Sequence, residues 1–419
     1  MMFRSSLRFA AAAVALSLGL GAETLTLDEA VRSTLSSHPD IRAALLKIRQ
    51  SEQSVGMERS AWKPQVSIHA EYDPQRTFTL PQNGGFATVN HRSWNLGASL
   101  SQQLFDFSRS AYRIEAARLR RQIDALSARE RKALMRYEVR NAYALVLVQQ
   151  AALRARIKDL EAKRASWLQA KALFKQGLKT RADAYRFRSA MEAAKEGVAL
   201  ARAAYRKARY GLEQYLGRPL KASTRLTASL LRSRPPLPAL PRSAKALDTL
   251  SLRSASLAVS ATGAQTRALE REHFGTVQAI ADVERFDGLS RYDTATVGIR
   301  YSAPIYSGGR LGAQAQQSRI GQMVAAADRD GLRRRLWQEI RSTLADYRET
   351  QSAIEARRAQ IRSALETLKL LQARYKEGLA TYIEVLDAQS VLLQARLGLL
   401  SAYYNRLERS YRLEYLNAK

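Results

Sequence analysis

A chain of 419 residues with 68 Lys and Arg against 38 Asp and Glu carries a formal charge of +30 and no cysteine. The missing thiols exclude a disulfide frame, a thiolate metal centre and an amino-terminal lipidated cysteine. A field of that sign attracts nucleic acid, anionic lipid or anionic solutes. Here the cations are scattered among Ala, Gln and Glu along helical segments that follow an export signal, so they read as solvated helix faces with no nucleic-acid partner.

The signal occupies residues 1–22. Arg4 and Arg8 precede an apolar run from Phe9 to Leu20, and Gly21 and Ala22 supply a small-residue exit. The run is shorter than the roughly 20 residues a membrane helix needs, and its removal takes the charge to +28 because it holds two arginines and no acid. No later apolar run reaches membrane-helix length, so an exported chain of this kind is either soluble or uses a closed β-barrel.

After the signal, a short helix breaks at His38-Pro39 and a second runs from Pro39 to about Trp62, with Pro39 at a first helical position and Pro64 ending the segment. Val66, Ile68, Ala70 and Tyr72 alternate with polar residues, as do Trp94, Leu96, Ala98 and Leu100, which predicts two strands with one apolar face. The stretch from Asp73 to Arg92 reads as a polar link. From Ser108 to about Phe174 there is neither proline nor glycine, and the Ala, Leu, Arg, Glu and Gln content predicts one helix about 100 Å long. Gly177 breaks it, and a helix follows from Thr180 to Tyr215. Residues 218–243 hold five of the ten prolines and form an inter-repeat linker.

The second half repeats this order: a helix over Leu252 to Phe274, strands around Val277–Val283 and Ala295–Tyr301, a helix from Arg310 to about Tyr375, a break at Gly378, and a last helix from Thr381. Its strand entry has Thr276 where the first half has Pro64, a difference expected to matter little. "FKQGL" at 174 and "YKEGL" at 375 stand 201 residues apart, and the same offset brings Phe105 onto Tyr306 and Arg109 onto Arg310. Residues 23–217 and 244–419 are therefore two copies of one unit. In each, the helix before the strands and the helix after the turn together nearly match the long helix between them, so two short helices stacked end to end pair with one long one. Four strands cannot close a barrel, since eight is the smallest common size; two, three or four protomers would supply 8, 12 or 16. A soluble sandwich capping a coiled coil is the competing architecture.

At "SAPIYSGGRLGAQAQQSRI" and "YKEGLATYIEVLDAQSVLLQAR" the chain resembles the TolC-like outer membrane factors, the exit ducts of bacterial tripartite efflux and type I secretion systems. The likeness extends over residues 23–419. It implies a mixed α/β membrane protein in the bacterial outer membrane: a homotrimeric α-barrel of long coiled-coil helices in the periplasm joined to a 12-strand transmembrane β-barrel, four strands per chain. Its implied partners are a periplasmic adaptor (membrane fusion) protein, an inner-membrane pump or ABC exporter, and outer-membrane lipid. It implies no cofactor, no metal and no catalysis. Small molecules and unfolded polypeptides are the implied cargo.

The resemblance also assigns residues. Glu384 and Asp387 fall where the family carries the acidic ring of the periplasmic entrance, Tyr375 at its aromatic gate, and Asp183 at an acid that holds the closed tip. Ala380 replaces the arginine with which the best-known member ties neighbouring coils shut, and Lys179, Arg181 and Arg186 are near enough to substitute for it. Gly177-Leu178 and Gly378-Leu379 are expected hairpin turns and adaptor-docking points. Pro304, Gly308 and Gly309 are expected to bend strand into helix, differently from Phe107 and Ser108 in the first half. Tyr72 and Trp94 suit an interfacial aromatic girdle. Spacing alone adds that Glu384 and Asp387, at i and i+3, share a helix face, and that crowding three copies of each would raise some of their pKa values and attract cations.

His38, His69, His91 and His273 are dispersed and no nucleophile elbow or phosphate loop is present, so no enzyme is expected. The rival function is a periplasm-spanning coiled-coil adaptor without its own channel. Such a protein would carry one hairpin where this chain has two.

Overall fold

A computed structural model describes residues 24–80, 84–288 and 291–418; the expected signal segment lies outside them. Strand β1 (Thr24–Leu25) leads into α1 (Leu27–Ser37) and α2 (Pro39–Ser60), followed by β2 (Gln65–Thr79) and β3 (Ala87–Phe105). Helices α3 (Arg109–Lys175) and α4 (Arg181–Leu216) form the first hairpin. Across the middle come β4 (Arg225–Leu226) and 3-10 turns at Ala228–Arg232 and Ala244–Ala246. Then α5 (Leu250–Glu270), β5 (Thr276–Asp287), β6 (Arg291–Ser302), α6 (Arg310–Lys376) and α7 (Tyr382–Leu416) repeat the order.

Both long helices contain 67 residues and begin 201 residues apart. The end-to-end arrangement is explicit in side-chain partners. Arg131 pairs with Asp40 and Arg121 with Glu52, so α2 lies antiparallel on the strand-side half of α3. Helix α4 covers the other half, where a Cβ on Gly197 would stand 2.9 Å from the Arg156 guanidinium. The repeat copies this close approach, with Gly398 of α7 clearing Arg357 of α6. The short helices meet over the middle of the long ones: His38, the N-cap of α2, stacks on Tyr215 near the end of α4 with ring centroids 6.3 Å apart. In the second half Leu250 N donates to Ala418 O at 3.1 Å. At this level the chain between the repeats folds back as a belt. The Tyr143 hydroxyl of α3 donates to Leu25 O (2.7 Å) and accepts from Thr227 N (2.9 Å), tying the parallel pair β1 and β4 to the coil. The proline-rich linker is thus packed structure, with Leu220 and Leu231 buried.

The four long strands form an antiparallel sheet in the order β2-β3-β5-β6. Its first hairpin is longer than the alternation predicts: pairing continues from Asp73↔Ser93 to Thr79↔Ala87. Much of the expected polar link is strand, and Pro74 lies within β2, opposite Arg92 of β3. The entry to β5 is made by Gly275 at φ 79°, ψ −159°, so the missing proline is replaced by a glycine bend.

The strand-to-helix bends overturn one expectation. Gly308 and Gly309 have φ of 60° and 79°, and Phe107 and Ser108 have φ of 55° and 70°. Both bends are left-handed at the same two positions. In the first half the conformation sits on residues that ordinarily avoid it. Phe107 is held between Phe105 and Phe274 at centroid distances of 4.9 and 5.3 Å, and buried Asp106 accepts from Ser110 N (2.7 Å) and Gln103 Nε2 (2.9 Å). Tertiary packing here replaces the freedom of glycine. Pro304, Gly308 and Gly309 are exposed.

Candidate functional site

Two surfaces carry the residues singled out by sequence: the far end of the helical hairpins and the wall of strands. At the hairpin ends the two turns are near copies. Gly177 (φ 75°) and Gly378 (φ 80°) take the left-handed conformation that reverses the chain. Leu178 N donates to Leu173 O at 2.9 Å and Leu379 N to Arg374 O at 2.8 Å, which closes the last carbonyls of each long helix. Thr180 and Thr381 then cap α4 and α7 through reciprocal hydrogen bonds with Asp183 and Glu384. Leu178, Leu379 and Ile383 stand out from the turns, each more than half exposed.

Glu384 is the acid of its capping box: its carboxylate accepts from Thr381 N (2.7 Å) and the Thr381 hydroxyl (3.0 Å). The backbone hydrogen bond, then the hydroxyl, hold its pKa below the usual carboxylate range. Within one protomer, capping therefore lowers this pKa, opposite in sign to the crowding expected from sequence. Asp387, one turn on, is exposed on the same face.

Tyr375 departs from the aromatic-gate expectation. An aromatic that constricts a lumen must show its ring to the lumen, and Tyr375 is 3% exposed. It packs edge-on against Phe187 of α4 at 5.5 Å, in a cluster with Ala380, Val385, Ala388 and Leu392. Phe174, its counterpart in the repeat, is 40% exposed. The asymmetry follows from the partners: the residue one hairpin offers Tyr375 is Phe187, whereas the repeat equivalent of Phe187 is Ala388. Burial, with the Asp183 charge adding, pushes the Tyr375 hydroxyl up to about 12.

Among the cations near the turns, Lys179 reaches across from the first hairpin and places its Nζ 4.7 Å from the Tyr375 ring centre. Arg181 is engaged within its own helix, donating to the Tyr185 hydroxyl at 2.8 Å, and Arg186 is exposed. Deeper between the hairpins, Gln389 Nε2 donates to Ser166 Oγ at 3.0 Å in a buried contact.

The strand wall has two unlike faces. One aligns Val66, Leu100, Ala281 and Val297 in one row and Ile68, Ala98, Val283 and Ala295 in the next. Ile68 is 78% and Val297 87% exposed. Tyr72 lies opposite Trp94 near one margin of this face, and Phe105 and Tyr301 flank Val277 near the other. The opposite face is polar. There the Ser67 and Ser99 hydroxyls are 2.6 Å apart, and His69 Nε2 lies 3.2 Å from Glu284 Oε1. His69 crosses the intervening strand because Gly97 has no side chain; a Cβ there would stand 2.5 Å from the imidazole. This bridge between the two halves escapes sequence reading, since it needs the register that brings His69, Gly97 and Glu284 into one row. Among the described residues no group of three or more His, Cys, Asp or Glu is gathered as for a metal, and no helix is long and apolar enough to cross a membrane.

The sequence profile of the outer membrane efflux proteins matches residues 30–218 and 243–417. The outer membrane efflux protein BepC of Brucella suis is 27% identical over the whole of this chain and 91% of its own length. The outer membrane protein TolC of Escherichia coli is 25% identical over 88% of this chain and 78% of its own. A solved structure of the transmembrane channel CusC superposes with a TM-score of 0.81, covering 94% of this chain and 92% of that one at 20% identity.

Proposed function

The chain belongs to the outer membrane efflux protein family, and from that premise we propose that three copies close one twelve-stranded barrel by pairing β6 of each with β2 of the next. The protein is an export duct of the outer membrane with a helical extension in the periplasm, working with an adaptor and an inner-membrane pump, and it is a conduit and not an enzyme. Residues 1–22 direct export, and the two repeats on either side of the linker each supply two strands and one helical hairpin. The cargo is small molecules or unfolded polypeptides.

The observation that carries the assembly is a sheet that, among the described residues, has both edges unpaired and one apolar face exposed. Lipid tolerates neither open edges nor an isolated sheet, and closure satisfies every edge group while turning the apolar face outward and the polar face toward the lumen. Tyr72 and Trp94 then lie in the outer aromatic girdle. At the opposite end, Glu384 and Asp387 ring the entrance, with Glu384 kept ionised by its capping bonds. Tyr375, Asp183 and Lys179 hold the two hairpins of a protomer together in the closed state, Lys179 acting where Ala380 offers no cation. Gly177-Leu178 and Gly378-Leu379 present the exposed leucines to the adaptor. A coiled-coil adaptor without a channel is disfavoured by the same sheet.

Planar-bilayer conductance of wild type against Glu384→Ala with Asp387→Ala tests the entrance ring. Cation selectivity and block by multivalent cations are expected to fall in the variant. Unchanged selectivity would remove these carboxylates from the entrance, and a water-soluble monomer without detergent would remove the barrel itself.

A further inference from the structure

On the hairpin-tip side of the belt, a cleft of ≈ 710 Å³ opens between α3, α6, α7 and the 3-10 turn at Ala228–Arg232. Its floor is apolar, from Leu147 and Ala151 of α3, Ile361 of α6, and Leu399 and Leu400 of α7. Four cations border that floor from three elements: Arg154 and Lys158 on α3, Arg232 on the belt and Arg396 on α7. No carboxylate lines the cleft, and among the described residues none of the four is in an ion pair.

The belt wall is fixed. Arg406 Nη2 donates to Arg232 O (2.9 Å) and Ser233 O (2.7 Å), its guanidinium lies 5.4 Å from the Tyr403 ring centre, and Arg358 donates to the Tyr403 hydroxyl at 2.9 Å. Positive charge is thus concentrated without compensation at a half-sheltered place. Burial, together with the Arg358 and Arg234 charges, pulls the Arg406 pKa down. Arg154 and Lys158 are a like-charge i, i+4 pair, which works against the helix that carries them. Other cations of the coil do have carboxylate partners, as Arg121 with Glu52 and Arg412 with Glu339.

We propose that this cleft docks an acidic, leucine-bearing segment of a periplasmic partner protein. Charge complementarity selects an anion. Cations spaced around an apolar floor on three sides suit an extended ligand with several carboxylates and an aliphatic anchor better than a compact anion, which would meet one or two of them. Access rests on the duct reading: three belts inside a helical ring would obstruct it, so the belt and the cleft beneath it face the periplasm.

The probe is a fluorescein-labelled 14-residue peptide with Glu and Leu at helical spacing, titrated by anisotropy into the trimer in zwitterionic nanodiscs, with empty discs subtracted. Arg154→Glu with Arg396→Glu is expected to weaken binding at least tenfold. Arg334→Glu with Arg335→Glu, an equal charge change at exposed positions of α6 that do not line the cleft, is expected to weaken it less than threefold. Replacing the peptide leucines by serine is expected to cost another tenfold. Equal losses in the two protein variants would overturn the proposal in favour of the general field of the chain. Complete displacement by citrate at matched ionic strength would overturn it in favour of a small-anion site. Mass and conductance of the same discs separate the two readings: an intact conducting trimer that binds no peptide removes only the docking site, whereas loss of the trimer removes the duct.

Discussion

Gly275→Ala is the sharpest test of how the second hairpin enters the sheet. Gly275 joins the 3-10 turn Glu272–Phe274 to β5 at φ 79°, ψ −159°, a region essentially confined to glycine, where another residue costs about 1–3 kcal/mol. A Cβ would also stand 2.2 Å from Ser302 O and 2.7 Å from Ala303 Cα. Both are backbone atoms at the end of β6, where Thr276 pairs with Ser302, so relief means displacing the edge strand that closes the barrel. Overpacking of this kind adds about 1–3 kcal/mol. The two effects give about 2–6 kcal/mol per protomer, or at least roughly a thirtyfold shift against the native strand entry. Trimer yield by native mass and thermal melting in detergent reads this out, with Gly298→Ala on β6 as the control because nothing lies within 4 Å of its added Cβ. The expected result is a control that assembles like wild type and a Gly275→Ala protein that melts earlier or stays monomeric. A Gly275→Ala trimer with unchanged melting would refute the strain argument.

Lys179→Met is expected to raise the open probability of single channels, because a cation over an aromatic face contributes about 0.5–2 kcal/mol and this one links the two hairpins through Tyr375; unchanged gating would remove Lys179 from the closed-state contacts. Tyr375→Phe tests the buried hydroxyl, which has no hydrogen-bond partner. A phenol whose folded pKa is raised from 10.0 to about 12 favours the native state fully below pH 10, and that contribution is lost as pH rises toward 12. Melting temperatures between pH 8 and about 11.5 should therefore fall less steeply in the variant than in wild type, and parallel slopes would contradict the burial.

What the sequence makes legible is whatever a local rule decides. Gly177 and Gly378 can be read because chain reversal demands a left-handed residue, and the long helices because their composition leaves no alternative over so many turns. Thr180 and Thr381, three residues before Asp183 and Glu384, are a local signal of the capping boxes these acids complete. The extension of β2 and β3 is not legible, since Pro74 and the Gly and Asn residues between them look like a link until the pairing partner is known. Phe107 and Ser108 are hidden more deeply, because their left-handed backbone is held by Phe105, Phe274 and Asp106 and by nothing in the dipeptide itself. The exchange of roles between Tyr375 and Phe174 turns on Phe187 facing one and Ala388 belonging to the other. Duplication fixes equivalent backbones, and contacts between the copies then make the side chains inequivalent.

The same separation of levels governs the charge. A chain of +30 invites the inference that its duct prefers anions, yet the sheet sorts its charges by face. The polar face, the one turned toward the lumen, carries Glu71, Asp73, Asp282 and Glu284 against His69 and Arg300. On the apolar face Arg285 and Asp293 share the row of Ala70 and Leu96, and Asp287 and Arg291 the row of Tyr72 and Trp94. Each of these cations is paired with an acid, Arg285 with Asp293 and Arg291 with Asp287. Glu384 and Asp387 add carboxylates at the opposite end. Excess positive charge therefore resides on the coil, where Arg154, Lys158 and Arg396 show that part of it is gathered and not merely spread. The field that a solute meets at the two ends of the duct is set by these carboxylates at short range, because charges on the coil's flank are screened beyond about 8–10 Å at physiological ionic strength. Net charge accordingly bears on what binds the outside of this protein, and its cargo preference follows from the acids at its openings.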